Sequence, residues 1–266
     1  MSSKSDIKKY AAQSAFVFTG KVIKTKAATM QPLAASNTII AEVVHIINAP
    51  PMFTSVNGQQ ITVRFKKMPS LKAGQLITVF ANGWVFGDTI AVDAVGYSEE
   101  TGKSIAAAKT AMAGKSAMSV MVENAVTDNK DAILKERIDS AEMSVVGEVT
   151  KVKKSDMEPT HISEHNPLWQ EATIKVDEVV KGKKSTKEVK VMFPASDDVR
   201  WKKINKYSEG QKGIWMIQKG KKQAAKGIAA KVFAAIPAGS DVFTTLHQSD
   251  FMPLNELSRI KSLIKK

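Results

Sequence analysis

The sequence predicts a mainly β protein made of two similar small domains, and three observations lead to this prediction. Short runs of alternating or β-branched apolar residues recur through residues 16–95 and again through residues 143–217, with Gly, Pro and Asn between them. An Ala- and Met-rich stretch without strand alternation separates the two regions. Four segments of the first region return in the same order in the second, which indicates an internal duplication.

The first region contains about five predicted strands, at the spacing of a small barrel or sandwich. A short helix or turn at residues 7–14 leads into the first strand. The second is β-branched almost throughout, as a strand buried on both faces would be. The dipeptide Asn57-Gly58 gives a tight turn into the third strand. The predicted strands are residues 15–26, Thr38–Ile47, Gln60–Phe65, Leu76–Phe80 and Thr89–Val95.

Residues 101–130 are predicted to be a helical connector, and Asp128 or Asn129 to cap a further helix, KDAILKERI. The first pattern then returns. The recurring pairs of segments are 16–22 with 143–149, 39–47 with 172–180, 61–65 with 189–193, and 73–80 with 209–217. We therefore predict domains at residues 1–100 and 131–266. The second domain ends in a helix with an apolar face, which we expect to dock on its own domain.

The quoted segments also carry a resemblance to a known fold. A first strand ending V-x-G-x-V, the strands ATIKVDEVVKG and KEVKVMF, and Gly-Gln before an apolar strand resemble bacterial proteins with an OB-like barrel. That barrel is of the kind seen in the netrin-like modules of tissue inhibitors of metalloproteinases. The stretches ISEHNPLW and FPASDDVRW look like a subgroup of uncharacterised bacterial proteins. The resemblance implies two tandem five-stranded OB-like barrels. It does not transfer the inhibitors' mechanism, which needs an N-terminal cysteine.

Composition limits the chemistry. The chain of 266 residues has no cysteine, which excludes disulfides, thiolate zinc sites, iron–sulfur clusters and cysteine nucleophiles. The formal net charge of +13 favours contact with polyanions, although it also serves solubility. The N-terminus has no signal-peptide pattern, and no apolar run reaches the ~20 residues of a membrane helix. We expect a cytoplasmic protein, unless a signal has been removed from an exported form.

The second domain has two enlarged loops, Ser155–Leu168 and Pro194–Ser208, and enlarged loops on a shared scaffold are where specificity is often added. The first loop spells H-x-x-E-H, the inverted zinc-protease motif, but Pro159 and Pro167 prevent the helix that this motif needs. The alternatives are a metal site formed by the loop itself and a loop with a purely structural role. The second loop offers carboxylates, a guanidinium and an indole, for a ligand pocket or for helix capping.

We predict a non-catalytic binding protein without a cofactor, which binds an unidentified protein or small molecule. The predicted lining comprises His161, Glu164, His165, Trp169, Asp197, Asp198, Arg200 and Trp201. A loop-based metal-dependent hydrolase is one alternative, and a structural spacer protein is another.

Binding of single-stranded nucleic acid is the remaining alternative, because OB barrels bind single strands with basic grooves and aromatic platforms. The platforms would be Trp201, Tyr207 and Trp215, although Trp215 lies in an apolar run typical of core. The predicted basic residues are Lys151, Lys153, Lys154, Lys183, Lys184, Lys202, Lys203 and Lys206.

Overall fold

A computed structural model describes residues 3–86, 89–99, 117–155, 168–198, 201–219 and 243–265. The chain divides into two compact units, Met1–Lys130 and Asp131–Lys266. Each unit contains a closed five-stranded barrel, and a helix lies between the barrels along the chain. The predicted fold class is therefore confirmed. Among the residues described, no helix is long and apolar enough to cross a membrane.

The first barrel has the strand order β1-β2-β3-β5-β4, and β4 pairs with β1 to close it. Strands β3 and β5 are parallel, and the other neighbours are antiparallel. This is the Greek-key arrangement of an OB-type barrel. The elements of this unit up to its last strand are α1 (Lys4–Gln13), β1 (Phe16–Thr25), β2 (Thr38–Asn48), β3 (Gln60–Arg64), β4 (Leu76–Phe86) and β5 (Thr89–Glu99).

The second barrel repeats this order, except that its fifth strand is interrupted. Strand β10 pairs in parallel with β8 and antiparallel with β9, which closes the ring, and β11 pairs with β9 further along. Residues 245–250 separate β10 from β11. In the first barrel, β5 continues through the corresponding position with only a bulge. The remaining elements are α2 (Ala117–Ser140), β6 (Met143–Lys154), β7 (Trp169–Lys181), β8 (Glu188–Pro194), β9 (Lys212–Lys219), β10 (Phe243–Thr244), β11 (Phe251–Met252) and α3 (Leu257–Ile264).

The two barrels agree in individual hydrogen bonds, which is consistent with the predicted duplication. Before β4, the Gly74 amide donates to the Val22 carbonyl at 2.7 Å. Before β9, the Gly210 amide donates to the Val149 carbonyl at 2.8 Å. Both glycines have a left-handed φ, +85° and +81°, which side chains rarely adopt. The β1–β2 and β6–β7 ladders also shift register at three corresponding positions.

Each barrel encloses its own apolar core, because its strands alternate or are β-branched. Phe16 and Phe18 stack at 4.7 Å in the first core, and Trp215 is fully buried in the second. Burying one such side chain contributes roughly 1.5–3 kcal/mol. The core of the first barrel also includes Val22, Ile39, Val43, Phe53, Ile61, Val63, Ile77 and Val79. The core of the second includes Val145, Val149, Ile174, Val191, Phe193, Tyr207 and Ile217.

In each unit, the helix before the first strand packs against a helix that follows the barrel. In the first unit, Ile7 of α1 packs with Val122 of α2. In the second, Leu134 and Ile138 of α2 pack with Ile260 of α3. Helix α2 runs unbroken from Ala117 to Ser140, whereas the sequence predicted a new helix near Asp128. Apolar packing on both sides of this position overrides the local capping preference. Residues 101–116 of the predicted connector lie outside the described residues.

Candidate functional site

The two enlarged loops of the second unit begin at the same end of its barrel. At this end Trp169 of β7 pairs with Pro194 of β8, and Lys154 of β6 pairs with Gln170. The Ser155 amide donates to the Trp169 carbonyl at 2.9 Å, and the Ala195 amide donates to the Leu168 carbonyl at 2.7 Å. We call this region, residues 151–155, 168–170, 194–198 and 201–206, the loop end.

Two tryptophans join the bases of the enlarged loops. The rings of Trp169 and Trp201 meet edge to face with their centroids 6.0 Å apart, and the residues are 4% and 5% exposed. Met192, Ile204 and Leu246 complete this small cluster. Trp201 therefore anchors the second loop from beneath, and its indole is not a solvent-facing platform in this conformation. The neighbouring Leu168 is 67% exposed.

The Lys206 side chain stabilises the second enlarged loop by donating to two of its backbone carbonyls. Its ammonium donates to the Pro194 carbonyl at 2.6 Å and to the Trp201 carbonyl at 3.0 Å. Burial lowers the pKa of Lys206, and Asp197 partly offsets this effect. Lys206 was predicted to contact nucleic acid, but here its ammonium group stabilises the loop.

Only part of the predicted ligand lining lies among the described residues. His161, Glu164, His165 and Arg200 are outside them, so their role, and the loop-based metal-dependent hydrolase, stay predictions. Asp197 is exposed. The Asp198 carbonyl accepts from the amides of Trp201 and Lys202, at 2.8 and 2.9 Å, and so forms the turn before Trp201. Within the described ranges, no three His, Asp or Glu side chains are grouped to hold a metal ion.

The predicted basic residues occupy two opposite ends of the second barrel. Lys151, Lys153, Lys154, Lys202 and Lys203 are exposed at the loop end. Lys183 and Lys184 lie in the β7–β8 turn at the other end, where the Lys184 ammonium donates to the Val179 carbonyl at 2.6 Å. Of the loop-end group, Lys153 lies 3.6 Å from Glu171. A single groove lined by all the predicted lysines is therefore not formed.

Two of the proposed aromatic platforms belong to the core. Tyr207 contacts Phe193, Phe251 and Trp215, with ring centroids 4.9, 5.7 and 6.1 Å apart. Burial strongly raises the pKa of Tyr207. Tyr207 and Trp215 are thus unable to stack on bases while the barrel is folded.

A buried ion pair, which the sequence pattern did not predict, joins α2 to the interrupted fifth strand. Arg137 donates two hydrogen bonds to the fully buried Asp250, at 2.8 and 2.9 Å, and the His247 amide donates a third at 2.9 Å. Burial raises the pKa of Asp250 to about 6, although Arg137 opposes this effect. His247 accepts from the Ser249 amide through Nδ1, and burial lowers its pKa. These groups hold residues 245–250 against α2.

No protein-family model matches the sequence, and the curated proteins contain no significant match to it. The resemblance to netrin-like modules therefore stays a prediction.

Proposed function

We propose that this protein is a non-catalytic binding protein and that its ligand surface is the loop end of the second barrel. The observation that carries the proposal is that both enlarged loops start at this end and are tied together by Trp169 and Trp201. This buried pair fixes the bases of two enlarged loops, and such loops on a shared scaffold often carry specificity. Protein ligands and small molecules both fit this proposal.

Among the described residues of the second unit, the groups with strongly shifted pKa values are internal and give catalysis no support. Asp250 and Tyr207 are internal, and their neighbours are structural. A general acid or base must reach the substrate's proton, within hydrogen-bonding distance or through one water. Both groups are buried, so neither reaches a ligand bound on the surface of the loop end.

Charge at the loop end favours an anionic ligand, and this supports single-stranded nucleic acid as a second candidate. Lys151, Lys154, Lys202 and Lys203 are exposed there on two neighbouring segments. Lysines that neutralise the phosphates of a nucleic acid release its condensed counterions, so this binding weakens steeply with salt. The buried aromatics limit base stacking, so contact would be mainly with the backbone.

The test is fluorescence anisotropy with a labelled single-stranded oligonucleotide and with labelled polyphosphate, at low salt and at about 0.15 M salt. The test variant is K202E/K203E. The matched control is K183E/K187E, which makes the same charge change in the exposed β7–β8 turn at the opposite end. We expect the test variant to weaken binding at least tenfold and to reduce the salt slope by about 1.4, the value for two phosphate contacts on a single strand.

The control variant should retain binding within about threefold, since its charges lie far from the surface proposed. Polyphosphate binding without oligonucleotide binding would remove the nucleic-acid candidate alone. If neither polyanion distinguishes the two variants, the loop end is not an anion-binding surface.

A further inference from the structure

The first barrel has a cleft that the loop-end proposal does not use. It lies where α1 crosses the fifth strand, and its volume is about 400 Å³, within the range of small-molecule sites. The residues that line it come from α1, from the chain just after β3, and from β5. They are Asp6, Tyr10, Phe65, Lys66, Lys67, residues 94–97 and Glu99.

A glycine and a bulge shape this cleft. A Cβ atom on Gly96 would lie 2.5 Å from the Tyr10 ring, so the ring can sit against the β5 backbone only because residue 96 has no side chain. The register of β4 and β5 shifts at this point, because Phe80 pairs with Gly96 and Ala81 with Ala94. The strand therefore bends away beside the Tyr10 ring.

The second barrel fills the corresponding position differently. Aligning the two repeats through their strand registers places Arg137 where Tyr10 lies, and Asp250 where Gly96 lies. That barrel uses an ion pair and the longer segment 245–250 to join helix to strand. The Tyr10 ring beside Gly96 is thus a feature of the first repeat, and the fold does not require it.

The walls of the cleft suit a flat ring. Phe65 and Tyr97 meet edge to face at 5.7 Å, and Tyr10 contacts Phe80, also at 5.7 Å. Phe65 is 4% exposed and forms a rigid base, while Tyr10 and Tyr97 are half-buried. Partly buried aromatic walls stack planar ligands in offset or edge-to-face geometry.

The rim carries two lysines and two carboxylates, and the lysines form its cationic side. Lys66 and Lys67 are adjacent and exposed where the chain leaves β3. Asp6 accepts from the Ser3 amide at 3.0 Å and from the Ser3 hydroxyl at 2.8 Å, so its carboxylate already caps α1. Glu99 on β5 also lines the cleft, and its carboxylate can accept from an amino group on the ring.

We propose that this cleft binds a small planar aromatic anion, that is, an aromatic ring joined to a phosphate or a carboxylate group. The ring lies between Tyr10 and Tyr97 above Phe65, and the anionic group meets Lys66 and Lys67. This site is in the first unit and is independent of the proposed function of the second.

The experiment is isothermal titration calorimetry of the full chain with AMP and with 2-naphthoate, and with inorganic phosphate as the probe that lacks a ring. The test variant is K66E/K67E. The matched control is K21E/K24E, which changes two exposed lysines on β1 of the same barrel. Thermal melting of both variants checks that they are folded.

We expect AMP, 2-naphthoate or both to bind the unmodified chain, and inorganic phosphate not to compete at equal concentration. K66E/K67E should weaken binding about tenfold or more, and K21E/K24E should change it less than about twofold. If only AMP binds, the ligand of the cleft is an aromatic phosphate. If only 2-naphthoate binds, the ligand is an aromatic carboxylate. No heat of binding with either probe, equal loss in both variants, or competition by phosphate alone would overturn the proposal.

Discussion

The buried Arg137–Asp250 pair makes the sharpest stability prediction. Arg137→Met removes both hydrogen bonds to a carboxylate that is 0% exposed, while keeping much of the apolar stem of the side chain. An unpaired buried charge costs about 3–5 kcal/mol of the free energy of unfolding. We expect the second unit to lose roughly this amount at pH 7.5.

The pH dependence of this loss gives the prediction its signature. Because the pKa of Asp250 in the folded state, about 6, is above its ordinary value of 3.8, its contribution to stability is complete below 3.8 and is lost as the pH rises through about 6. Without Arg137 the pKa of Asp250 should rise further. The stability that protonated Asp250 contributes is then lost over a pH range that extends above 6. At pH 5 Asp250 is largely protonated in both the unmodified chain and the variant. Arg137→Met then removes two hydrogen bonds to a neutral carboxyl group, and its cost in free energy of unfolding should fall to about 1–2 kcal/mol.

Urea unfolding at pH 5 and pH 7.5 measures both values. Three of the four tryptophans, Trp169, Trp201 and Trp215, belong to the second unit, and Trp84 belongs to the first. Tryptophan fluorescence in a Trp84→Phe background therefore follows the unfolding of the second unit. Arg64→Met is the matched control, followed by circular dichroism, because Arg64 makes the same two-bond contact with Asp93 at 2.6 and 2.9 Å but on the surface. With these side chains 51% and 47% exposed, its loss should cost about 0–1 kcal/mol. Equal costs for the two variants, or a cost for Arg137→Met that does not change with pH, would refute this reasoning.

Three further substitutions test the barrels by urea unfolding. A Cβ on Gly147 would collide with the backbone carbonyl of Lys175, whereas at the equivalent Gly20 it would meet a Phe18 ring carbon at 2.9 Å and a backbone oxygen at 3.3 Å. Gly147→Ala should therefore cost about 3 kcal/mol and more than Gly20→Ala; the reverse order would contradict the register given for β6 and β7. The Lys181 ammonium donates to three carbonyls at the end of α2, at 2.8, 2.9 and 2.8 Å. Lys181→Met should cost about 1–2 kcal/mol, and an unchanged midpoint would mean that water replaces these contacts.

Much of the fold could be predicted because its signals are local. The alternation in QITVRF and the β-branched run TIIAEVVHII predict strands from neighbouring residues alone. The Gly-Gln step before the fourth strand recurs at Gly74 and Gly210, and in both places the backbone needs the left-handed conformation that glycine supplies. Repetition of these local signals in one order predicted two similar β domains, and the resemblance to OB-like proteins favoured a barrel over a sandwich for each.

The candidate site could be predicted only in part, since a sequence shows which residues are available and not which way they face. Trp201 looks like a stacking surface beside Arg200 and Lys202, yet it is buried against Trp169. The eight predicted lysines look like one basic surface, yet the barrel separates them between its two ends.

The sequence by itself determined most of the strands and the basic character of the chain, and it predicted the duplication, because each follows from residue type and spacing. Tertiary structure alone decided that Arg137 meets Asp250, 113 positions away, and that Tyr10 meets Gly96 at the equivalent junction. The helix and the fifth strand come together only when the barrel closes. Burial then decides what each junction contains. The fully buried Asp250 requires a charged partner, whereas the half-buried Tyr10 against Gly96 requires none and leaves a cleft.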